Sequence, residues 1–224
     1  MDAPFFDRLK NLCTTSGFTQ KGKTFFRLVG DGVLQVVKCE YQRNLRGDII
    51  SVGLFSMYGY MQPKWFTATG CIPRYSIISC LYQNNIPLTF AIPPQTQLDI
   101  LEANVLPWLD TINTQKRLIS AITKLDPRWY DSLKIGPYLA CDEINHAKKV
   151  IRSILAQHNF ERTYRIKFCE DSQEMLILEP AQGDENLHSL LEMISRENLE
   201  EIDKYLKVNY ERNIKYASFC RKKT

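Results

Sequence analysis

The apolar positions near the start of the chain recur at helical spacing. They are Phe5, Phe6, Leu9, Leu12 and Cys13. This spacing places them on one face of an amphipathic helix, which Gly17 can end because glycine readily adopts the left-handed conformation. The first element is therefore predicted to be a helix whose apolar face packs against another part of the molecule.

Strand patterns follow this helix. Apolar and polar side chains alternate over residues 26–29, Gly30-Asp31-Gly32 provides a tight turn, and a second run covers residues 33–42, so a β-hairpin is predicted. Residues 49–58 and 75–82 are enriched in β-branched and aromatic side chains, which predicts a third and a fourth strand. The short connections between these runs predict an antiparallel meander.

From residue 95 onward, the apolar positions change from a period of two to helical spacing. One stripe runs from Leu98 to Leu109 and is interrupted by Pro107, which is expected to bend or restart the helix. Thr114 precedes the next helical pattern and is a candidate N-terminal cap, because its hydroxyl can accept a hydrogen bond from the first turn.

Helical patterns dominate the remainder of the chain. Asp142 is a candidate cap for the helix that follows it, whereas residues 163–168 alternate so briefly that they fit either an added strand or a loop. Residues 184–194 and 196–218 predict two further helices, with Ser195 as a candidate cap at their junction.

These patterns predict an α+β fold, with an antiparallel sheet of about four strands packed against helices and a helical C-terminal extension. The N-terminal helix and the helices after residue 95 are expected to cover one face of the sheet. The predicted division is an α+β domain over residues 1–125 and a helical extension over residues 126–224 that packs on it. A chain of 224 residues is long enough for a buried core.

Several segments of the first 125 residues combine turn chemistry with regular spacing. They are the helix running into Gly17-Phe18, the Lys21-Gly22-Lys23 turn before an aromatic strand, the strand ending near Gln42, Val52-Gly53-Leu54 and Val105-Leu106-Pro107-Trp108-Leu109-Asp110. The combination resembles a bacterial family catalogued only as domain of unknown function 4304. The resemblance implies a type of fold and no reaction. Ser51 stands where that pattern leads us to expect asparagine, so the resemblance does not imply that an amide there binds a ligand.

Composition and charge narrow the classes of function. Hydrophobic residues make up 44% and charged residues 24% of the chain, which argues against disorder. The N-terminus lacks the pattern of a secretory signal and no apolar run could cross a bilayer, so we expect a cytoplasmic protein without a membrane partner. Residues 1–90 carry 10 basic and 5 acidic side chains, a surplus of +5. This surplus favours an acidic partner, but it is not the dense basic stripe typical of nucleic-acid binding.

The seven cysteines are scattered and contain no Cys-x-x-Cys pair, which indicates reduced thiols. A reactive cysteine needs a setting that lowers its pKa, such as a helix N-terminus. Only Cys141, just ahead of a predicted helix, offers such a setting, and an ordinary packed thiol is the commoner interpretation.

Two Glu-x-x-His pairs have the spacing of ligands in di-iron helical bundles, namely Glu143–His146 and Glu185–His188. On a helical projection the second pair lies away from the apolar stripe of its own helix, so a solvated face is the better interpretation. The chain also lacks a Gly-x-Ser-x-Gly elbow and a phosphate-binding glycine motif. We therefore predict no catalytic residue, no metal ligand and no cofactor.

Aromatic and basic side chains concentrate between residues 57 and 75. The candidate binding residues there are Tyr58, Tyr60, Trp65, Arg74 and Tyr75. Tyr, Trp and Arg are the residue types that most often anchor protein interfaces. The competing and commoner interpretation is that these aromatics pack as a small satellite core of the sheet. Stacking on nucleic-acid bases would use the same residue types, but no ribonucleoprotein-style motif is present.

The leading functional prediction is a non-enzymatic interaction module that binds a protein partner through residues 57–75 and the adjoining basic sheet surface. An antidote-like role is expected only by analogy with small bacterial domains that accompany toxins. The alternative is a small-molecule-binding protein or an enzyme with a pocket between sheet and helices. Its candidate residues are Gln42 and Ser51, together with Arg74 or Tyr75.

Overall fold

The protein has an α+β fold built on an antiparallel sheet, as the sequence predicts. The computed structural model describes residues 3–42, 47–59, 74–76, 93–125, 131–172 and 184–218. In chain order, the first elements are helix α1 (Ala3–Thr15) and strands β1 (Thr19–Lys21), β2 (Thr24–Val29), β3 (Val33–Gln42), β4 (Gly47–Ser56) and β5 (Arg74–Ser76). These strands lie side by side in that order, which confirms the meander. The predicted strand over residues 75–82 coincides with β5 at its start, and the rest of it lies outside the described residues.

Helices follow the sheet. They are α2 (Pro94–Ile100), a π-helical segment (Leu101–Val105), α3 (Leu106–Thr111), α4 (Gln115–Leu125), α5 (Asp131–Ala140), α6 (Ile144–Ser172), α7 (Asp184–Ser195) and α8 (Leu199–Ser218). Pro107 stands in the first turn of α3, directly after the π-helical segment, and the backbone stays right-handed helical at both junctions of that segment, so the helix continues through it and does not restart. Across the described part of the chain, no helix is both long and apolar enough to span a bilayer.

The largest core lies between one face of the sheet and the first helices. Its fully buried side chains include Phe25 and Val37 from the strands, Leu9 from α1, and Leu101 and Leu118 from the helices after the sheet. The predicted cover of one sheet face by the N-terminal helix and the helices after residue 95 is thus confirmed. Burial of large apolar side chains on this scale is the main stabilising contribution to a fold of this size.

A smaller apolar cluster lies on the opposite face of the sheet, where Phe55 and Met57 pack against Tyr210 and Ile214 of α8. A third cluster joins helices α5 to α8 and includes Ile135, which is fully buried. The last helix therefore reaches across to the second sheet face. The helices after residue 125 contact the sheet, and the domain boundary itself stays a prediction.

Helix boundaries confirm one predicted cap and correct two. The Thr114 hydroxyl accepts a hydrogen bond from the Arg117 N–H at 3.3 Å, as a capping side chain should. Asp142 instead ends α5: its φ is +59°, and its N–H donates to the Leu139 carbonyl at 3.1 Å. Ser195 is the last residue of α7, and α8 is capped by Asn198.

The ambiguous segment over residues 163–168 lies inside helix α6. No glycine or proline occurs between Ile144 and Ser172, so no residue in that span ends the helix once it has started. The brief alternation of charged and apolar side chains did not reveal this continuity.

Candidate functional site

The predicted binding segment begins in a packed environment. Met57 is fully buried, and the half-buried Tyr58 ring lies 5.2 Å from the Tyr210 ring between centroids. Burial raises the pKa of Tyr58, and the neighbouring Tyr210 and Asp31 act in the same direction. Met57 and Tyr58 therefore belong to a small core packed on the sheet, which is the commoner of the two interpretations given above. Their side chains stabilise the join between sheet and α8 and do not stand free as interface anchors.

The other predicted binding residues are distributed over different parts of the chain. Tyr60 and Trp65 lie outside the described residues, and at Arg74 and Tyr75 the backbone alone is described. Strand β5 pairs with β4 so that Arg74 is opposite Gly53, Tyr75 opposite Val52 and Ser76 opposite Ser51. Ser51, Arg74 and Tyr75 are thus neighbours on adjacent strands.

Gln42 and Tyr58 lie far from this group and from each other. Gln42 is the last residue of β3 and pairs with Gly47, four residues before Ser51, which corresponds to roughly 13 Å along a strand. Tyr58 follows the opposite end of β4. The predicted residues that the structure describes do not form one site, because Gln42 and Tyr58 lie at opposite ends of the long β3–β4 hairpin.

The backbone after β4 is held tightly by helices α5 and α8. The Asn213 side-chain amide donates to the carbonyl oxygens of Met57 at 2.8 Å and of Gly59 at 2.9 Å. Gly136 of α5 lies against the same backbone, where a Cβ atom would be only 2.6 Å from the Tyr58 carbonyl oxygen. We call this region, Met57 to Gly59 with its helical neighbours, the closed end of the sheet.

A polar row crosses the second face of the sheet near Ser51. Lys38 is directly opposite Ser51, and its ammonium lies 2.7 Å from the Glu40 carboxylate. Ser51 is 8% exposed, and its hydroxyl donates to the Lys38 carbonyl at the long distance of 3.5 Å. A serine–lysine pair of this kind suits nucleophilic catalysis only if the lysine can accept a proton. Because the Lys38 ammonium is paired with the Glu40 carboxylate, it is not placed to accept a proton from Ser51. The polar row therefore suits hydrogen bonding to a ligand better than nucleophilic catalysis.

At the other end of the central hairpin, β3 and β4 extend beyond the strands beside them. Among the described residues, pairing of β2 with β3 ends at Lys38, and pairing of β5 with β4 ends at Ser51. The far part of the hairpin, residues 40–42 and 47–48, together with the β1–β2 turn residues 21–23, is called the hairpin end below. The hairpin end and the closed end lie at opposite ends of strands β3 and β4.

One edge of the hairpin end is covered by a side chain. Gln97 of α2 is 2% exposed, accepts a hydrogen bond from the Ile50 N–H at 2.8 Å and donates to the Asp48 carbonyl at 2.9 Å. These are the backbone groups of β4 that a longer β5 would have paired. The glutamine amide therefore substitutes for a strand and protects this edge.

The other edge carries Tyr41. In an antiparallel ladder, every second residue directs its backbone groups to the same side. The Cys39 N–H donates to the Lys23 carbonyl at 3.0 Å, so Tyr41, two residues on, directs its N–H and C=O to that side beyond the β1–β2 turn. Within the described ranges, no strand pairs with β3 on this side of Tyr41, whereas β4 pairs on the other side through Asp48. The Tyr41 residue is 58% exposed, and Lys23 of the nearby turn is also exposed.

Sequence patterns did not identify the exposure of Tyr41. With a strand period of two, Tyr41 falls on the same sheet face as the buried Val37 and Cys39. The alternation therefore predicts a core position. Within the described residues, β2 and the β1–β2 turn end before Tyr41, which is exposed there, and the sequence contains no clear signal of these lengths.

The described cysteines are not activated nucleophiles. Burial raises the pKa of Cys13 and of Cys39 to about 12. The pKa of Cys141 is also raised, first by burial and then by the negative charge of Glu143. Cys141 lies in the short turn between α5, where its N–H donates to the Pro137 carbonyl, and α6, which begins at Ile144, so the thiol does precede a helix start but its raised pKa means that the helix does not activate it.

The two Glu-x-x-His pairs both lie at the surface. His146 is 3.3 Å from Glu143 and stacks on the Tyr138 ring at 5.3 Å, whereas Glu185 and His188 are exposed, as the helical projection predicted. Among the residues whose positions are described, no group of three or more His, Cys, Asp or Glu side chains is arranged to hold a metal ion.

Comparisons with known proteins add no name to this geometry. No family model, no curated protein and no solved structure matches the chain. The resemblance to domain of unknown function 4304 stays a prediction.

Proposed function

We propose that this chain is a cytoplasmic, non-enzymatic interaction module that binds another protein through the hairpin end. The observation that supports this most directly is Tyr41, an aromatic residue that is 58% exposed at a backbone edge with which no described strand pairs. Tyrosine is enriched at interfaces because it offers a large contact area with few rotatable bonds. Cys39 on β3 and Ile49 and Ile50 on β4 are buried, so Tyr41 follows directly on a part of the hairpin that is anchored in the core.

Charge supports the same surface. Lys23, whose carbonyl accepts a hydrogen bond from the Cys39 N–H two residues before Tyr41, is exposed, and the first 90 residues carry the basic surplus of the chain. Positive charge around an interface mainly increases the rate of encounter with an acidic partner and disfavours basic ones. The hairpin end thus combines a contact residue with electrostatic steering. An antidote-like role is the narrower form of this proposal and rests on analogy with small bacterial domains.

The experiment compares capture of partners from a native cell extract by the wild-type chain and by Tyr41→Ala. Val208→Ala is the matched control, because Val208 is also a large exposed apolar side chain, 54% exposed, but lies on α8. We expect a protein that wild type and Val208→Ala retain and Tyr41→Ala loses. The protein is then purified and rebound to each variant. Equal retention by all three variants would exclude the hairpin end as the interface.

A second candidate function is polar ligand binding on the second sheet face. It is supported by the register, which places Lys38 and Ser76 opposite Ser51, one on each neighbouring strand, and Arg74 two residues before Ser76. Ser51→Ala tests it, because removal of the hydroxyl should weaken a ligand held there and leave the Tyr41 interface unchanged. A partner that is lost with Ser51→Ala and kept with Tyr41→Ala would favour this candidate over the interaction module.

A further inference from the structure

We draw no further inference here: the strongest candidate, the side-chain oxygen of the fully buried Asn213 at the closed end of the sheet, which has no hydrogen-bond partner within the part of the chain that the structure describes, carries nothing, because the same side chain donates to the carbonyl oxygens of Met57 and Gly59 and so belongs to the attachment of α8 already described.

Discussion

The two ends of strand β4 lie in the same sheet but are built differently. After Ser56 the chain enters the closed end, where Asn213 donates to the carbonyl oxygens of Met57 and Gly59 and Gly136 allows α5 to touch the backbone. At the other end, Gln97 covers one edge of the hairpin and Tyr41 stands exposed on the other. The comparison shows that side-chain amides of helices cover strand backbone at both ends of β4, and that the edge at Tyr41 is the exposed one.

The largest effect is expected at the closed end, from Gly136→Ala. The new Cβ atom would lie 2.6 Å from the Tyr58 carbonyl oxygen and 2.8 Å from the Gly59 nitrogen, and backbone atoms cannot move aside cheaply. We expect the free energy of unfolding to fall by about 3 kcal/mol, as for other overpacked sites. Urea unfolding measures it. Ala140→Gly in the same helix controls for helix propensity, which alone would make Gly136→Ala stabilising by about 1 kcal/mol.

Asn213→Ala should have the next largest effect. It leaves the buried carbonyls of Met57 and Gly59 without the donor that now serves both. An unpaired buried acceptor costs about 1–3 kcal/mol, and we expect a loss of about 2 kcal/mol in unfolding free energy. Glu211→Ala, at an exposed position on the same turn of α8, should change stability by less than about 0.5 kcal/mol. Equal effects of the two variants would mean that α8 is not attached through Asn213.

Gln97→Ala tests the covered edge of the hairpin end. The Ile50 N–H and the Asp48 carbonyl lose their partner, and we expect a cost of about 1–2 kcal/mol because this edge lies closer to solvent than the closed end. Amide exchange at Ile50 should accelerate, and the newly exposed edge should increase self-association. Gln95→Ala, at an exposed position of the same helix, is the control. Unchanged exchange at Ile50 would contradict the assigned role of Gln97.

Tyr41→Ala should have the smallest effect on stability, less than about 0.5 kcal/mol, because an exposed side chain contributes little to the core. The same change should nevertheless remove partner binding. Tyr58→Ala is expected to behave in the opposite way, since its ring packs on Tyr210 and belongs to the closed end. Thermal unfolding and the capture assay together distinguish the two tyrosines. A strongly destabilised Tyr41→Ala would mean that this ring also belongs to the core.

Local features of the fold were predictable where a short stretch of chain carries all the required information. Pro107 lies directly after a π-helical segment, as expected of a residue whose ring and missing N–H act within one turn, and Thr114 caps a helix through a residue only three positions away. Asp142 and Ser195 were assigned incorrectly as caps. Several residues near each junction can cap, and the sequence does not show at which residue the chain reverses.

The candidate site was predicted less well than the fold. Ser51, Arg74 and Tyr75 do lie on neighbouring strands, but Tyr58 is packed and Gln42 is at the opposite end of the hairpin. Tyr41 was missed because strand periodicity places it on the core face. Residue type alone could not tell an anchoring tyrosine from a packed one.

The sequence by itself determined the helix and strand patterns, their order and the antiparallel connections, because hydrophobic period and turn chemistry act over a few residues. Only the tertiary structure decided which ends of the central hairpin are closed. Tyr41 and Tyr58 are the same residue type near the ends of paired strands, yet α8 and α5 reach one and no described element covers the other. Burial depends on how far elements distant in the chain extend, and that information is not contained in any local pattern.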